Sequence, residues 1–354
     1  MLTGAVVMAP MTKGSNLPYR RLAVELGARV LVSEMAVARR LKQKRKGEFA
    51  LIRKFPGEPC FGVQLAGTNP DEMAWAAALA EARGADFVDV NLGCPIDHFT
   101  RKGMGAALGR QPSRVRRIVE TMSKAVTAAP VTVKIRLGWN DEMRNYVDLA
   151  RAAVDGGAQA IFVHGRTRDA RYRRAADWDA IGEVVAAVPV PVVGNGDLLF
   201  AHEIEEARAR SGCAGVMTAR GALIKPWLFR EAIEGHRDLD GDERLAIYRR
   251  YVTLALEHWR DDERGRANVK QFLAWHLGFW CRYAPRRADG SWPSMQGRED
   301  PTWVRTPLEA LLARTDAATH EWLADHLMAG DAIDPATAPA SAEGVEELAI
   351  EASG

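Results

Sequence analysis

Short apolar runs recur along the first two thirds of the chain, and segments with helical patterning separate them. The runs are mostly continuous in apolar residues, which is typical of strands that are covered on both faces. Their spacing, about 30 residues, is that of a strand–helix–strand repeat. The eight runs are residues 5–9, 30–33, 60–65, 87–91, 131–136, 160–164, 190–193 and 214–218.

Eight such runs in roughly the first 235 residues predict an α/β fold, a (β/α)8 TIM barrel, whose usual size is about 250 residues. We therefore assign residues 1–237 to a barrel. An open, doubly wound sheet is the alternative, because it shows the same alternation of strands and helices. The first run lacks a basic leader and a small-residue cleavage site, so we expect a buried strand there and not a signal peptide.

The pattern changes after residue 237. Leu245, Tyr248 and Val252 follow one another at helical spacing, and similar patterns continue to residue 327. A small all-helical domain is therefore predicted for residues 238–330. Within it, residues 286–306 are rich in Gly, Pro, Trp and Arg and predict a long loop. Residues 331–354 are rich in Ala, Pro, Glu and Ser and predict a disordered acidic tail.

Composition narrows the class of protein. A hydrophobic fraction of 47% and a charged fraction of 27% are typical of a soluble globular protein. No apolar run approaches the roughly 20 residues that cross a bilayer, so we expect no membrane contact and a cytoplasmic location. The cysteines lie far apart without a C-x-x-C pair, which argues against a disulfide framework and against a metal site. They are Cys60, Cys94, Cys213 and Cys281.

The net charge of +2 conceals an asymmetry. The last 24 residues carry six acidic side chains and no basic ones, so 48 basic side chains face 40 acidic ones in the rest of the chain. This excess permits a polyanionic partner. Two basic clusters stand out: residues 39–46, which include Arg39, Arg40, Lys42, Lys44, Arg45 and Lys46, and residues 166–174, which include Arg166, Arg168, Arg171, Arg173 and Arg174.

Polar residues follow nearly all of the predicted strands. In a barrel the carboxyl ends of the strands meet at one mouth, where catalytic residues gather. Gly196 and Gly221 follow the last two predicted strands. Glycine lets the backbone approach a ligand closely, and barrels often bind phosphate in these two loops, so we expect a phosphorylated cofactor. Two tight turns that merely require glycine are the alternative.

Three side chains at this mouth could carry chemistry. Lys134 and His164 lie on adjacent predicted strands, and a buried lysine without a function would be costly. Lys134 could form a Schiff base, or could place its charge against the electron-rich edge of a reduced cofactor. Cys94 is bracketed by Gly93 and Pro95 at a strand tip and could act as a nucleophile or as a proton donor. An ordinary thiol, with a pKa of about 8.5, is mostly protonated at neutral pH, which suits an acid.

Seven short motifs at these strand ends resemble, in the same order, those of the tRNA-dihydrouridine synthase family, flavoproteins that reduce uridine in tRNA. The succession of N-x-G-C-P and H-G-R-T is the most specific part of the resemblance, which covers the whole predicted barrel. The motifs lie at residues 9–11 (APM), 64–65 (QL), 91–95 (NLGCP), 133–136 (VKIR), 164–167 (HGRT) with 176–178 (ADW), 195–197 (NGD) and 219–222 (ARGA).

The resemblance implies a cofactor and a reaction. NADPH would reduce FMN, the reduced flavin would deliver a hydride to C6 of uracil, and Cys94 would protonate C5. No nicotinamide-binding motif is visible, so NADPH rests on the resemblance alone. The target base would leave its RNA stack, and Asn91, Arg136 and Arg166 would hold it. The residues implied to bind FMN are Pro10, Met11, Gln64, Lys134, His164, Asn195, Gly196, Asp197, Arg220 and Gly221.

The resemblance makes tRNA the partner, and Arg39, Arg40, Arg45 and Arg168 are its predicted contacts on the barrel. We expect a monomer, although the sequence itself does not disclose the oligomeric state. A solvated helix face is an equally good interpretation of the first basic cluster. Residues 94–97 and 171–178 most resemble the subgroup that acts on the tRNA variable loop. The position of the modified uridine nevertheless stays open. In the helical domain, Lys270, Arg282, Arg286 and Arg287 lie among Trp275, Trp280 and Tyr283, a mixture compatible with RNA contact. A Schiff-base lyase that uses Lys134 and a non-catalytic RNA-binding barrel are the rival hypotheses.

Overall fold

The computed structural model describes residues 2–295 and 306–340. Within them, nine strands form one parallel sheet. The sheet closes because β1 pairs with β9 and β2 pairs with β4, so the chain folds as a TIM barrel and not as an open doubly wound sheet. The strands are β1 (Val6–Met8), β2 (Val30–Val32), β3 (Ala36–Val37), β4 (Phe61–Ala66), β5 (Phe87–Leu92), β6 (Val131–Arg136), β7 (Ala160–His164), β8 (Val192–Asn195) and β9 (Gly215–Thr218).

All eight predicted strands are present, and β3 is an addition. The chain leaves the barrel wall after β2 and returns for two residues, so that β2 and β3 pair with successive parts of β4: Leu31 is in register with Phe61, and Ala36 with Leu65. The interruption comes at residues 33–35, at the mouth of the barrel. It therefore places Ser33, Glu34 and Met35 beside the cleft that the strand ends form.

Helices cover the outside of the barrel. Three of them, α1, α4 and α8, begin at a side-chain cap: in α4, for example, Asn69 accepts a hydrogen bond from the backbone N–H of Glu72, and Pro70 occupies the first turn. The barrel helices are α1 (Leu17–Glu25), α2 (Ala38–Lys42), α3 (Lys46–Leu51), α4 (Pro70–Ala82), α5 (Asp97–Thr100), α6 (Pro112–Ala125), α7 (Tyr146–Asp155), α8 (Trp178–Ala187), α9 (Ala201–Ser211), α10 (Arg220–Ile224) and α11 (Leu228–Glu234).

Side chains that point into the barrel change from apolar to polar toward the mouth. Phe87 and Phe162 fill the lower interior, with ring centroids 6.1 Å apart. Gly62 makes room for them, since a Cβ there would lie 2.1 Å from the Phe87 ring. Because side chains alternate along a strand, Thr132, Lys134 and Arg136 of β6 share one face. The polar residues therefore rise in layers above an apolar floor.

The predicted helical domain is present and packs on the barrel. Its helices are α12 (Gly241–Trp259), α13 (Glu263–Trp280), α14 (Pro307–Leu312) and α15 (Ala317–Ala329). A buried chain of hydrogen bonds joins it to α1: the Tyr248 hydroxyl lies 3.0 Å from His276 Nδ1, and His276 Nε2 lies 3.2 Å from the Tyr19 hydroxyl. Burial lowers the pKa of His276 to about 3, so the imidazole is neutral and can accept one hydrogen bond while it donates another.

The predicted loop and tail fall partly outside the described residues. Residues 283–295 contain neither helix nor strand, as expected, whereas 296–305 lie outside. Of the predicted tail, residues 331–340 include a 3-10 turn at Pro335–Thr337, and Arg314 donates a hydrogen bond to the carbonyl of Pro339. Residues 341–354 lie outside. In the described ranges, no helix combines the length and hydropathy that a bilayer crossing requires, and no group of three acidic, His or Cys side chains could hold a metal.

Candidate active site

The carboxyl ends of the strands open into a single cleft. It contains every residue that the sequence implies for FMN, together with Cys94, Asn91, Arg136 and Arg166. Arg39, Arg40, Arg45 and Arg168 lie outside it. The implied cofactor residues in the cleft are Pro10, Met11, Gln64, Lys134, His164, Asn195, Gly196, Asp197, Arg220 and Gly221.

Cys94 is held in a turn that Asn91 organises. The Asn91 side-chain oxygen accepts hydrogen bonds from the backbone N–H groups of Gly93, at 3.2 Å, and Cys94, at 2.9 Å. Gly105 packs against the same turn, and a Cβ there would lie 2.7 Å from the Cys94 carbonyl oxygen. Burial raises the pKa of the Cys94 thiol, although the charges of Arg136 and Lys134 oppose the increase. The thiol is therefore protonated at neutral pH.

A chain of side-chain hydrogen bonds runs from this turn into the barrel. Asn91 Nδ2 donates to Gln64 at 2.6 Å, Gln64 Nε2 donates to Asp89 at 2.7 Å, and the Thr132 hydroxyl donates to Asp89 at 2.8 Å. Burial raises the pKa of Asp89 to about 6. The sequence analysis missed Asp89. The sequence feature that could have indicated Asp89 is an acidic residue within an apolar strand, two positions before Asn91 and therefore on the same face of the strand.

Lys134 and His164 differ in charge. Burial first, and the neighbouring Arg136 second, lower the pKa of Lys134 to about 8, so the ammonium predominates at neutral pH and donates to Asn195 at 3.1 Å. Burial and the same arginine hold the pKa of His164 well below its usual range. His164 Nε2 lies 3.3 Å from Arg166 Nη1. A guanidinium can only donate, so Nε2 accepts and the imidazole proton resides on Nδ1.

Arg136, predicted to hold the substrate, contacts backbone carbonyls. Its Nε donates to the carbonyl of Gly93 at 2.8 Å, and its Nη1 donates to the carbonyl of Thr167 at 3.1 Å. The side chain therefore ties the Cys94 turn to the loop after β7. Tyr172 enters the cleft from that same loop, and the sequence analysis gave it no role.

Asp197 joins two arginines beside the loop after β8. Its carboxylate lies 2.5 Å from Arg166 and 3.1 Å from Arg220, and it also accepts the backbone N–H of Ala176 at 2.8 Å. The Arg166 side chain is 1% exposed. Asp197 adopts a φ of +52°, in the left-handed region that few residues other than glycine occupy. Asp197 thus adopts an unfavourable backbone conformation, in which its carboxylate lies between two cations.

The loops after β8 and β9 have the properties of an anion site. A Cβ at Gly196 would lie 2.4 Å from Ala176 Cβ, and a Cβ at Gly221 would lie 1.9 Å from the Leu198 carbonyl oxygen, so both positions require glycine. The backbone N–H groups of Gly196, Arg220 and Gly221 find no acceptor among the residues that the structure describes. Free N–H groups beside a guanidinium fit a phosphate group.

The predicted basic run lines a second cleft, outside the mouth. Arg39 and Arg40 meet Lys102, Arg114 and Arg117 there, and we call these five exposed residues the basic groove. Lys102 comes from the segment between β5 and α6, Arg114 and Arg117 come from α6, and none of the three was predicted. Two acidic side chains of α4, Asp71 and Glu72, also line the cleft. Arg45 lies exposed beside the groove, at the start of α3.

The second basic cluster is largely paired with acidic side chains. Arg168 forms ion pairs with Asp97 and Asp169, and Arg174 pairs with Asp141 at 2.6 Å. Arg168 also lies over Trp139, with its guanidinium carbon 4.6 Å from the ring centre. These contacts connect the rim loops to one another and reduce the positive charge that the sequence displays.

The candidate RNA-binding residues of the helical domain are divided between surface and core. Lys270 forms an exposed ion pair with Asp325 at 2.6 Å. Trp280 and Tyr283 are buried, whereas Trp275 is partly exposed, with Lys13 Nζ 6.0 Å from its ring centre. Only Trp275 of these three aromatic side chains therefore offers a surface to a base. Arg282, Arg286 and Arg287 follow the end of α13.

Comparison with known proteins agrees with these observations. The human "tRNA-dihydrouridine(47) synthase [NAD(P)(+)]-like" protein is 40% identical over 326 residues, which are 91% of this chain and 50% of the human protein. The "tRNA-dihydrouridine(47) synthase [NAD(P)(+)]" of Cryptococcus neoformans is 40% identical over 328 residues, 88% of this chain and 45% of that protein. A rice relative with the human protein's description is 38% identical over 331 residues, 89% of this chain and 47% of its own.

The chain thus spans about half the length of the curated relatives it matches. The sequence model for the family described as "Dihydrouridine synthase (Dus)" matches residues 7–276, which run from β1 into α13. This match includes every residue of the cleft except Met295. The chain belongs to the dihydrouridine synthase family.

Proposed function

We propose that this chain reduces the C5=C6 bond of a uridine in tRNA to 5,6-dihydrouridine, with FMN in the cleft and NADPH as the source of electrons. One observation carries the proposal. A half-buried, protonated thiol opens on the same cleft as a lysine, a neutral histidine and two loops that suit a phosphate. The names of the relatives support tRNA as substrate and a nicotinamide nucleotide as electron source.

The residues present fit FMN. The free N–H groups of Gly196, Arg220 and Gly221 and the Arg220 guanidinium would hold its phosphate. Lys134 would place its charge against the polar edge of the ring, where Gln64 retains one amide N–H without an acceptor among the described residues. When bound, FMN supplies the hydride that C6 of uracil accepts.

Cys94 supplies the proton. The raised pKa keeps the proton on Sγ until the reduction of C6 leaves negative charge at C5, and the proton then moves from Sγ to C5. The thiolate that remains lies near the positive charges of Lys134 and Arg136, which favour it and so lower the cost of the transfer. Water in the cleft can return the proton. Arg136 acts as a positioning residue, because it holds the carbonyl next to Cys94.

Asn91 is suited to hold the uracil. Its oxygen is occupied by the Cys94 turn and one of its N–H groups by Gln64, which leaves the second N–H to donate to a uracil carbonyl. The base has to leave its stack in the RNA to reach this position, at a cost of a few kcal/mol. Contacts between the protein and the RNA backbone offset that cost. The basic groove is suited to this role, because it lies at the same end of the barrel as the cleft.

The names of the relatives specify position 47, and we extend that position to this chain. The proposed substrate is thus one uridine of the tRNA variable region. We further propose that the enzyme acts as a monomer in the cytoplasm. Lys134 also favours a second candidate, a Schiff-base lyase, because a pKa of about 8 leaves a useful fraction of the amine uncharged at neutral pH.

Colour and trapping distinguish the two candidates. For the reductase, we expect purified protein with flavin absorbance near one FMN per chain, bleached faster by NADPH than by NADH. For the lyase, a colourless protein would be trapped by borohydride together with a carbonyl compound, and Lys134→Met would abolish trapping. A colourless protein that cannot be reconstituted with FMN would exclude the reductase.

A further inference from the structure

Residues 286–292, which follow the last turn of α13, form a compact turn closed by their own hydrogen bonds. The Arg287 N–H donates to the carbonyl of Ser291, and the Gly290 N–H donates to the carbonyl of Arg287, both at 2.9 Å. Arg286 Nε donates to the carbonyl of Gly290, and Arg287 Nη1 donates to the carbonyl of Trp292. The turn is therefore internally fixed, and it presents Trp292 in a defined position.

Trp292 packs into an aromatic box on the barrel. Its ring centre lies 4.5 Å from His202, 4.6 Å from His236 and 4.7 Å from Phe200, and the Arg286 guanidinium lies 5.1 Å away. Phe200 and His202 stand at the start of α9, directly after the loop that carries Gly196 and Asp197. Trp292 therefore attaches the 286–295 loop to the anion site, and not merely to the outside of the barrel.

Three residues later the loop reaches the cleft. Met295 is 5% exposed and lines the cleft, and its carbonyl accepts a hydrogen bond from Arg282 of the helical domain at 3.1 Å. Burial lowers the pKa of Arg220 to about 10, and the charge of Arg282 contributes to the decrease, so Arg282 acts on the anion site as well. Both Met295 and Arg282 thus approach the cleft from the side of the loops after β8 and β9.

We propose that residues 286–295 form a wall of the cleft over the phosphate end of bound FMN, with Trp292 as its anchor and Met295 as the positioning side chain that contacts the cofactor. The inference rests on the proposed binding of FMN. An apolar side chain at this place excludes water from the ionic contacts of the phosphate and so strengthens them. The anchor acts by ordering the loop in advance, which removes an entropic cost from binding. The helical domain then helps to retain the cofactor.

The test is the rate at which FMN leaves the holoenzyme, measured from the recovery of free-flavin fluorescence after a dilution large enough to prevent rebinding. We expect Trp292→Ala to release FMN about tenfold faster, with little change in the association rate. Trp292→Phe, which preserves an aromatic ring in the box, should restore most of the retention. Trp322→Ala is the matched control: the ring centre of Trp322 lies 3.8 Å from that of His326 within α15 and neither residue lines the cleft, so its loss should leave the rate unchanged.

A double-mutant cycle tests whether the anchor acts through Met295. Met295→Ala should also accelerate release, and Met295→Leu should not. If Trp292 serves to place Met295, the double variant will release FMN no faster than Trp292→Ala alone. A Trp292→Ala protein that is folded and releases FMN at the parental rate would overturn the proposal, as would additive effects or an equal effect of Trp322→Ala. If the parent itself takes up no FMN, both this inference and the proposed function fail. A failure confined to the variants would leave the proposed function standing.

Discussion

Replacement of Asp197 by asparagine tests the electrostatics of the anion site most sharply. The Asp197 carboxylate lies between Arg166, whose side chain is 1% exposed, and Arg220, whose side chain is 14% exposed. Asparagine removes the negative charge, tolerates the φ of +52° and can still accept the Ala176 N–H, so packing and backbone are preserved. Removal of one partner of a buried ion pair costs about 3–5 kcal/mol. Asp197 is 17% exposed, so we expect a loss of about 3 kcal/mol in the free energy of unfolding.

Thermal unfolding of the FMN-free protein measures this loss. A loss of this size corresponds to a decrease in Tm of roughly 4 °C in a chain of this length. Saturating FMN should narrow the difference from the parent by at least half, because its phosphate supplies the negative charge that the variant lacks. Asp179→Asn is the matched control, since Asp179 pairs with Arg210 on the exposed surface and its loss should leave Tm unchanged. A decrease below 1 °C, or the same decrease with and without FMN, would refute the reasoning.

Three further predictions concern the cleft and the groove. Cys94→Ala should bind FMN and tRNA as the parent does, and should form dihydrouridine about 10²–10⁴-fold more slowly, the usual contribution of a general acid; a parental rate in single-turnover assays would remove Cys94 from that role. The affinity for FMN should fall as the pH rises through about 8, because Lys134 loses its charge there. In Lys134→Met the affinity should be weaker and independent of pH over this range. Titrations with FMN from pH 6.5 to 9.5 test whether Lys134 causes the pH dependence. Charge reversal at Arg39 and Arg114 should weaken tRNA binding and reduce its salt dependence. Reversal at Arg116, which is exposed on the same helix as Arg114 but lies outside the groove, should do neither. If the salt dependence of binding has the same slope in both variants, the RNA binds elsewhere.

The barrel could be predicted from the sequence because its determinants are local. Each strand is a short apolar run, and the regular spacing of eight such runs indicates the fold. The one strand that was missed, β3, has only two residues, which is too short for any periodic pattern. The mouth could be predicted for the same reason: the carboxyl ends of parallel strands converge, so the polar residues that follow them must meet.

What could not be predicted depends on contacts between distant parts of the chain. The sequence indicates an RNA-binding cluster at Arg168 and Arg174. Besides the adjacent Asp169, however, their acidic partners lie 71 and 33 positions away, at Asp97 and Asp141. Arg39 and Arg40 of α2 are far in sequence from Lys102, Arg114 and Arg117, and the groove forms because α2 and α6 both pack against α4. Met295 reaches the cleft from another domain, and no strand-end rule points to it.

The central claim is that Cys94 and a bound flavin act together on a tRNA uridine. The most direct measurement incubates the purified chain with FMN, NADPH and tRNA from cells that lack its gene, and then maps dihydrouridine at single-nucleotide resolution. We expect dihydrouridine at position 47 with the parent and almost none with Cys94→Ala under the same conditions. Absence of dihydrouridine with a flavin-loaded parent, or the same amount from Cys94→Ala, would contradict the account.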